Sequence, residues 1–299
     1  MFLIGGLLLF PGRVWALEVV VSIKPLHSLA AAVMGNLGSP GLLIQGSASE
    51  HTYTLRPSDA RLLAKAKVIF WGGPTLETFL VRPLENLATA ANKVAILEVE
   101  GLTRLPIREG GAWEKEEEDH HDHETHGPMD PHMWLDPVNA GIMGKAMARV
   151  LGKVDPANAG KYSENASLLS QRLEEMDQQL RRELTPVRDR HYIVFHDAYQ
   201  YFERRYGLGS SGSVMVNPDL PPSVRRIEEI GKRIVASKAV CLFTEPQFSA
   251  RLAETVAAGQ GIRIGVLDPL GAAMSEGPDL YFQLLRGLSK ALVACLRSE

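Results

Sequence analysis

The 299-residue sequence is poor in cysteine and has no marked excess of charge of either sign. It contains two cysteines, and its 22% of charged residues give a formal net charge of −3. This balance differs from the basic excess typical of nucleic-acid-binding proteins, so we expect no nucleic-acid partner. No apolar run reaches the roughly 20 residues that a membrane-spanning helix needs. The apolar content of 45% is that of a globular protein, and the length suffices for two domains.

The first sixteen residues have features of a secretory signal peptide. Residues 1–10 form an apolar run too short to span a bilayer, Pro11 and Gly12 end it, and Val14 and Ala16 precede the expected cleavage point. The usual basic residues at the start are missing, and a buried first strand or helix is the alternative. In an exported protein two cysteines indicate a disulfide, whereas in a cytosolic one they would be buried thiols.

Short β-rich runs alternate with helical patterns in two blocks, which predicts two α/β lobes with mainly parallel sheets. The predicted strands are 18–24, 41–45, 67–71 and 93–98, then 191–195, 213–216, 238–244 and 262–267. The predicted helices are 25–35, 57–66, 75–90 and 137–152, then 197–206, 222–235, 247–259 and 278–297.

A long amphipathic segment separates the two blocks. Its apolar residues recur every three or four positions over 157–184, which is the helical period. An ordinary surface helix is the alternative, but the length and the position at the boundary favour one rigid connecting helix. The expected division is a signal peptide at 1–16, a first lobe at 17–154, the connecting helix at 155–186 and a second lobe at 187–299.

Residues 108–131 are rich in glycine, acids and histidine, and we expect them to form a mobile loop. Within them, 114–126 holds seven acids and one base, a charge of −6 that leaves the rest of the chain at +3. Four imidazoles stand within seven residues and predict weak, exchangeable zinc binding: His120, His121, His123 and His126. The alternative is a solvated charge run without a ligand.

Three other histidines stand in loops at the ends of predicted elements. His196 follows the apolar run 192–195, His51 lies between a strand and a helix, and His132 lies in a loop framed by two prolines. Asp268 ends the strand predicted at 262–267. Ligands of open α/β sheets bind at the carboxyl ends of the strands. A lone histidine there is usually a hydrogen-bonded loop residue, but three with an acid favour a metal site, and mixed N/O ligands suit Zn²⁺.

Five stretches of the chain, in order, resemble the ZnuA-type zinc-uptake periplasmic binding proteins, a metal-binding class of ABC-transporter solute receptors. They are SASEHTYTLRPSDA (47–60), DPHMWLDP (130–137), FHDAYQYFERRYGL (195–208), FTEPQF (243–248) and GVLDPLG (265–271).

The resemblance implies a site and a role. His51, His132 and His196 would be the imidazole ligands of Zn²⁺ in a cleft between two lobes. Asp268 matches the family's C-terminal acidic ligand and is the preferred fourth ligand, with Glu50 or water as alternatives. The resemblance also implies a Cys241–Cys295 disulfide and a periplasmic monomer that hands zinc to a membrane permease.

Three other functions stay open at this stage. Manganese and iron receptors of the same class tend to carry a carboxylate where His196 stands, so imidazole there favours zinc. A zinc hydrolase could use three histidines with Glu50 as base, but the sequence has no HExxH motif. The third is a role as an adhesin or as a metal-storage protein.

Overall fold

The computed structural model describes residues 17–108, 128–215 and 222–297. The predicted signal peptide and the four histidines of the predicted accessory loop lie outside these residues, so both stay predictions.

The first half of the chain forms a four-stranded parallel sheet in the order β2-β1-β3-β4. Its strands are β1 Val19–Val21, β2 Gly41–Leu42, β3 Val68–Trp71 and β4 Asn92–Ala95. The intervening helices are α1 Lys24–Met34, α2 Pro57–Lys65 and α3 Val81–Leu87. The two central strands are buried along their whole length, as apolar strands of a parallel sheet covered on both faces should be. The helix predicted at 75–90 is shorter, because a separate 3₁₀ turn at Thr78–Leu80 precedes α3.

The second half repeats this plan in the order β6-β5-β7-β8, again parallel. Its strands are β5 Tyr192–Val194, β6 Ser210–Ser213, β7 Cys241–Thr244 and β8 Arg263–Val266. Its helices are α6 Gln200–Tyr206, α7 Val224–Ser237, α8 Ala250–Ala257 and α9 Leu280–Leu296. The predicted α/β class with two parallel sheets is confirmed.

Strand β6 begins three residues before the strand predicted at 213–216. Serine and glycine have low β-propensity, so the local sequence concealed it. Beyond the end of β6, the backbone N–H groups of Val214 and Met215 donate to the carbonyls of Val194 in β5 and of Phe195 just after it, at 3.0 and 2.7 Å. On this edge strand, the carbonyl of Ser211 accepts a hydrogen bond from Arg233 Nε at 2.8 Å. An arginine side chain of α7 thus binds a backbone carbonyl of this edge strand.

Two long helices lie between the sheets in sequence, α4 Pro137–Val154 and α5 Ala159–Leu184. With 26 residues, α5 is about 39 Å long at 1.5 Å per residue. Its predicted apolar positions are all buried: Tyr162, Ala166, Leu169, Leu173, Met176, Leu180 and Leu184. They pack against α1 and α4 of the first half and against α9 of the second, so α5 joins the two halves.

One apolar core runs through both halves of the described chain, from Val19 in β1 to Leu296 in α9. A smaller cluster lies between β5, β7, α7 and α8. The Cys241–Cys295 disulfide ties β7 to α9 across a sequence separation of 54. In the three described ranges, no helix is long and apolar enough to cross a membrane. The exact lobe boundaries at 17–154, 155–186 and 187–299 stay a prediction.

Candidate metal centre

Three imidazoles from distant parts of the chain meet at one point. Ligand atoms of His51, His132 and His196 all lie within 4.8 Å of one another. The ring centroids are 5.0 to 5.7 Å apart. The Nε2 atoms of His132 and His196 are separated by 3.2 Å. Two nitrogens bound to one tetrahedral Zn²⁺ at 2.0–2.1 Å would lie about 3.3 Å apart. The spacing therefore suits a shared metal ion.

Loops from both halves of the chain place these rings. His196 lies two residues beyond the end of β5, at the carboxyl edge of the second sheet. His51 lies in the loop between β2 and α2, at the corresponding edge of the first sheet. His132 immediately precedes the 3₁₀ turn Met133–Leu135, which leads into α4. Pro137 begins that helix and the Asp136 side chain caps it, accepting from the Val138 N–H at 2.8 Å.

A buried carboxylate holds each of the two closest rings by its other nitrogen. Glu245 lies 2.8 and 3.0 Å from Nδ1 of His196 through its two oxygens. Asp130 Oδ1 lies 2.7 Å from Nδ1 of His132 and also accepts the His132 backbone N–H at 2.9 Å. Carboxylate partners of this kind fix the orientation of a metal-binding imidazole and raise its basicity. With Nδ1 engaged, both rings turn Nε2 toward the centre.

Neither Asp130 nor Glu245 was singled out as functional from the sequence, although a signal for each was present. Asp130 stands two residues before His132, within reach of a local side-chain contact. The signal for Glu245 lies in strand pairing, because β5 and β7 are neighbours with Val194 opposite Phe243. Two residues further on, the same register sets His196 opposite Glu245.

In the described part of the chain, no carboxylate makes a hydrogen bond to the His51 ring. Its Nε2 atom is 3.8 Å from Glu50 Oε1. Both atoms are buried and have no hydrogen-bond partner among the described residues. Buried polar atoms in native structures nearly always have a hydrogen-bond or metal partner. Two neighbouring buried atoms without one therefore indicate that they share a partner such as a bound ion. A cation that accepts one lone pair from each would satisfy both.

Like Glu50, Asp268 lies outside the group of ligand atoms formed by the three histidines. Its carboxylate accepts hydrogen bonds from the backbone N–H groups of Leu270, Gly271 and Ala272, at 3.1, 2.8 and 2.6 Å. Across the same turn, the Lys24 ammonium donates to the carbonyls of residues 271, 272 and 274 at 2.7 to 3.2 Å. Asp268 therefore shapes this turn through both of its oxygens.

Comparison with known protein families identifies the family of a chain that carries this centre. The ZnuA family model, described as zinc-uptake complex component A, periplasmic, matches residues 19–295. The chain belongs to the ZnuA family.

Several curated relatives carry the name high-affinity zinc uptake system protein ZnuA, and two of them illustrate the similarity. The protein from Brucella abortus (strain 2308) is 45% identical, over 93% of this chain and 91% of its own. The protein from Yersinia pestis is 35% identical, over 97% and 95%. A crystal structure of ZnuA superposes with a TM-score of 0.79 at 24% identity, covering 95% of this chain and all of that one. This last likeness shows the shared fold.

Aromatic side chains enclose the centre of this ZnuA-family chain. The Trp134 ring lies 5.2 Å from His132 and the Phe248 ring 5.8 Å from His196, centroid to centroid. Trp134 is fully buried and donates its indole N–H to the Pro269 carbonyl at 2.9 Å. The side chains of His132 and His196 are only 5% and 6% exposed, whereas that of His51 is 15% exposed. Solvent therefore reaches the centre mainly past His51.

The three imidazoles of this ZnuA-family centre differ in proton affinity. Burial, reinforced by the neighbouring imidazoles, lowers the pKa of His51 and His132 well below its usual range. Burial would also lower the pKa of His196, but the charge and hydrogen bonds of Glu245 outweigh it and raise the pKa to about 9. Burial raises the pKa of Glu50 to about 7, against the opposing effect of His196. Of the three imidazoles, that of His196 therefore carries a proton most readily.

The remaining described histidines have local roles. Nε2 of His27 lies 3.0 Å from the Pro40 carbonyl. Nδ1 of the exposed His191 lies 3.4 Å from the Ser211 hydroxyl. Neither belongs to the cluster of His51, His132 and His196.

Proposed function

We propose that this chain binds Zn²⁺ in the periplasm and delivers it to the permease of an ABC-type importer. The 3.2 Å separation of two carboxylate-oriented Nε2 atoms carries the proposal, because a tetrahedral ion fits there and the third imidazole is within reach. The curated relatives, named for high-affinity zinc uptake, support the same role.

The ligand set that we propose is His51, His132, His196 and Glu50. The sequence favoured Asp268 as the fourth ligand, but its oxygens are engaged by three backbone N–H groups. Glu50 is 2% exposed, and its Oε1 atom has no hydrogen-bond partner among the described residues. Binding Glu50 costs no existing hydrogen bond at that atom, which supports it over Asp268.

The donor set supports zinc as the cargo. Three imidazoles suit the borderline ions Zn²⁺, Cu²⁺ and Ni²⁺, whereas manganese prefers carboxylate, carbonyl and water oxygens. Copper would bind more tightly on affinity alone, but tetrahedral geometry and availability favour zinc.

A receptor role fits this coordination better than hydrolysis does. Catalytic zinc sites keep one position for a water molecule, whereas four protein ligands fill the tetrahedron. In the proposed cycle Zn²⁺ exchanges its water shell for the three imidazoles and Glu50. Asp130 and Glu245 hold two of the rings in place during this exchange. Movement of the more exposed His51 side then opens the coordination sphere toward the permease.

Export to the periplasm is supported by two features. The first residues have the pattern of a signal peptide, and the Cys241–Cys295 disulfide suits an oxidising compartment. We further propose that the histidines of 114–126, outside the described residues, act as an accessory collector that binds zinc weakly.

The test is zinc binding by the processed chain and by a variant with His51, His132 and His196 all changed to alanine. We expect one tight zinc per wild-type chain and none in the variant. At a free-zinc concentration a thousandfold above Kd, zinc should stabilise the wild type by about 4 kcal/mol. Calorimetric titration and thermal unfolding measure both quantities.

His191→Ala is the matched control, because it removes an imidazole outside the cluster and should bind zinc as the wild type does. In cells that lack the chromosomal gene, the wild type and His191→Ala should restore growth under zinc chelation, and the triple variant should not. Tight zinc binding by the triple variant would refute the proposed site.

A further inference from the structure

Arg108 makes a two-sided ion pair beside the metal centre. Its Nε atom donates to Asp197 Oδ2 at 2.9 Å, and Nη2 contacts the other oxygen of the same carboxylate. Its Nη1 atom donates to Glu203 Oε2 at 2.6 Å. Glu203 is nearly buried, and its second oxygen accepts from the Tyr192 hydroxyl at 2.8 Å. A guanidinium that makes two parallel hydrogen bonds to one carboxylate fixes both the distance between the two groups and their relative orientation.

This ion pair joins the two halves of the chain. Arg108 belongs to the segment that follows β4, whereas Glu203 belongs to α6. Asp197 is the residue directly after His196. The guanidinium therefore attaches the loop that carries one proposed ligand to the opposite half of the molecule.

In the first half of the chain, the segment that ends at Arg108 is connected to His132 through backbone contacts. Pro106 and Met129 form an antiparallel bridge, and the Asp130 N–H donates to the Leu105 carbonyl at 2.9 Å. Asp130 is the carboxylate that holds the His132 ring. The hydroxyl of Tyr201 in α6 strengthens this junction, because it accepts from the Leu105 N–H at 2.8 Å and donates to the Asp130 carbonyl at 3.0 Å.

We propose that Arg108 is a positioning residue that sets the separation of the His132 and His196 Nε2 atoms and so controls how long zinc is retained. The inference rests on the proposed zinc-receptor function. A partly buried, bidentate link on one side and a bridged backbone on the other leave the two rings little freedom to separate. Loosening this link lets the rings separate and weakens the coordination without removing a ligand.

Arg108→Lys is the sharpest test, because lysine keeps the positive charge but cannot make the paired hydrogen bonds to Asp197. We expect zinc Kd to rise about tenfold, near the lower end of the effect of losing a partner that orients a metal ligand. The rate of zinc loss to an excess chelator should rise by about the same factor. Co²⁺ bound in place of zinc should lose visible absorption intensity, because that intensity reports tetrahedral geometry.

Arg205→Lys is the matched control. Arg205 lies on α6, two residues after Glu203, and makes two hydrogen bonds to Asp177 of α5 at 2.9 and 2.7 Å. Its other ion pair in the described part of the chain is with Asp136 at 3.9 Å. It should change apo stability by a similar amount and leave zinc loss and the Co²⁺ spectrum as in the wild type. If Arg108→Lys does not fold, Asp197→Asn loosens the same link from the other end and should give the same three changes.

The outcomes separate the two proposals. If Arg108→Lys releases zinc at the wild-type rate, or no faster than Arg205→Lys, the positioning role is wrong and the histidine site stands. If the triple histidine variant still binds zinc tightly, the proposed function itself fails, whatever Arg108 does.

Discussion

The centre has two differently built sides, one formed by His132 and His196 and the other by His51. The first two rings are buried, and each has its Nδ1 atom within hydrogen-bond distance of a carboxylate. The side chain of His51 is more exposed, and Ser49 Oγ contacts its backbone N–H at 3.2 Å rather than its ring. Folding thus orients two ligands in advance by carboxylates, whereas the third ring is more exposed and has no such hydrogen bond in the described part of the chain.

This difference indicates how tight binding and release can coexist in one site. Ordering a mobile side chain on binding costs about 0.5–1.5 kcal/mol. We therefore expect the preoriented pair to supply most of the affinity and His51 to govern the final step of capture and the first step of release.

The largest expected effect is the loss of a ligand from the preoriented side. His132→Ala and His196→Ala should each weaken zinc binding more than about 100-fold, because even the loss of an orienting partner costs 10- to 100-fold. His51→Ala should weaken it by a smaller factor, since its ring is not held in advance. Competition titration against a chromophoric chelator gives the three constants. An equal loss in all three variants would contradict the two-sided description.

The next effect sharpens the comparison by removing the orienting carboxylates. Glu245→Gln and Asp130→Asn should each reduce zinc affinity by about 10- to 100-fold with all histidines retained. Asp130→Asn should also lower apo stability, because Asp130 accepts the His132 backbone N–H as well. Calorimetric titration and apo thermal unfolding measure these changes. Wild-type affinity in both variants would show that the carboxylates serve only folding.

A third comparison sets Glu50 against Asp268. Glu50→Gln should reduce zinc affinity about tenfold, since an amide oxygen is a weaker ligand than a carboxylate. We expect no loss of apo stability, because Glu50 Oε1 has no hydrogen-bond partner among the described residues. Asp268→Asn should leave affinity close to the wild-type value and reduce the free energy of unfolding by about 1–3 kcal/mol, because it disturbs three backbone hydrogen bonds. Denaturant unfolding and zinc titration of both proteins decide between the acids. The opposite pattern would restore Asp268 as the fourth ligand.

The smallest effect on the centre is expected from deleting 114–126. The tight zinc should remain, and weaker zinc binding should disappear, because that segment carries four imidazoles and a charge of −6. The weak binding should also fade with added salt, since screening reduces the attraction between the acids and the cation. Equilibrium dialysis at two salt concentrations measures it. If the deletion leaves the stoichiometry unchanged, the segment is a solvated charge run.

Much of the fold could be predicted because the signals are local. The 3.6-residue period identified α5 and its buried face, and buried apolar runs identified β1, β3, β5 and β7. Strand β6 was misplaced because its Ser-Ser-Gly-Ser sequence has little β-propensity, and its pairing with β5 holds it in the sheet.

At the centre, residue type was predictable and pairing was not. The three histidines stood out by their positions at the ends of elements, and the structure brings them together, although their roles as ligands stay a prediction. The partnership of His196 with Glu245 depends on the register of two strands 49 residues apart in sequence. The position of Asp268 in its own turn depends on backbone geometry that no residue pattern specifies.

The apolar core that runs through both halves makes the molecule mechanically stiff. A wide rotation of one sheet away from the other would expose side chains that α5 now covers, together with their contacts in α1, α4 and α9. Exposing only about 300 Å² of apolar surface would cost about 7 kcal/mol. Such a barrier favours small displacements, so we expect the permease to gain its ion by displacing the loop of Glu50 and His51, with the scaffold left almost undeformed.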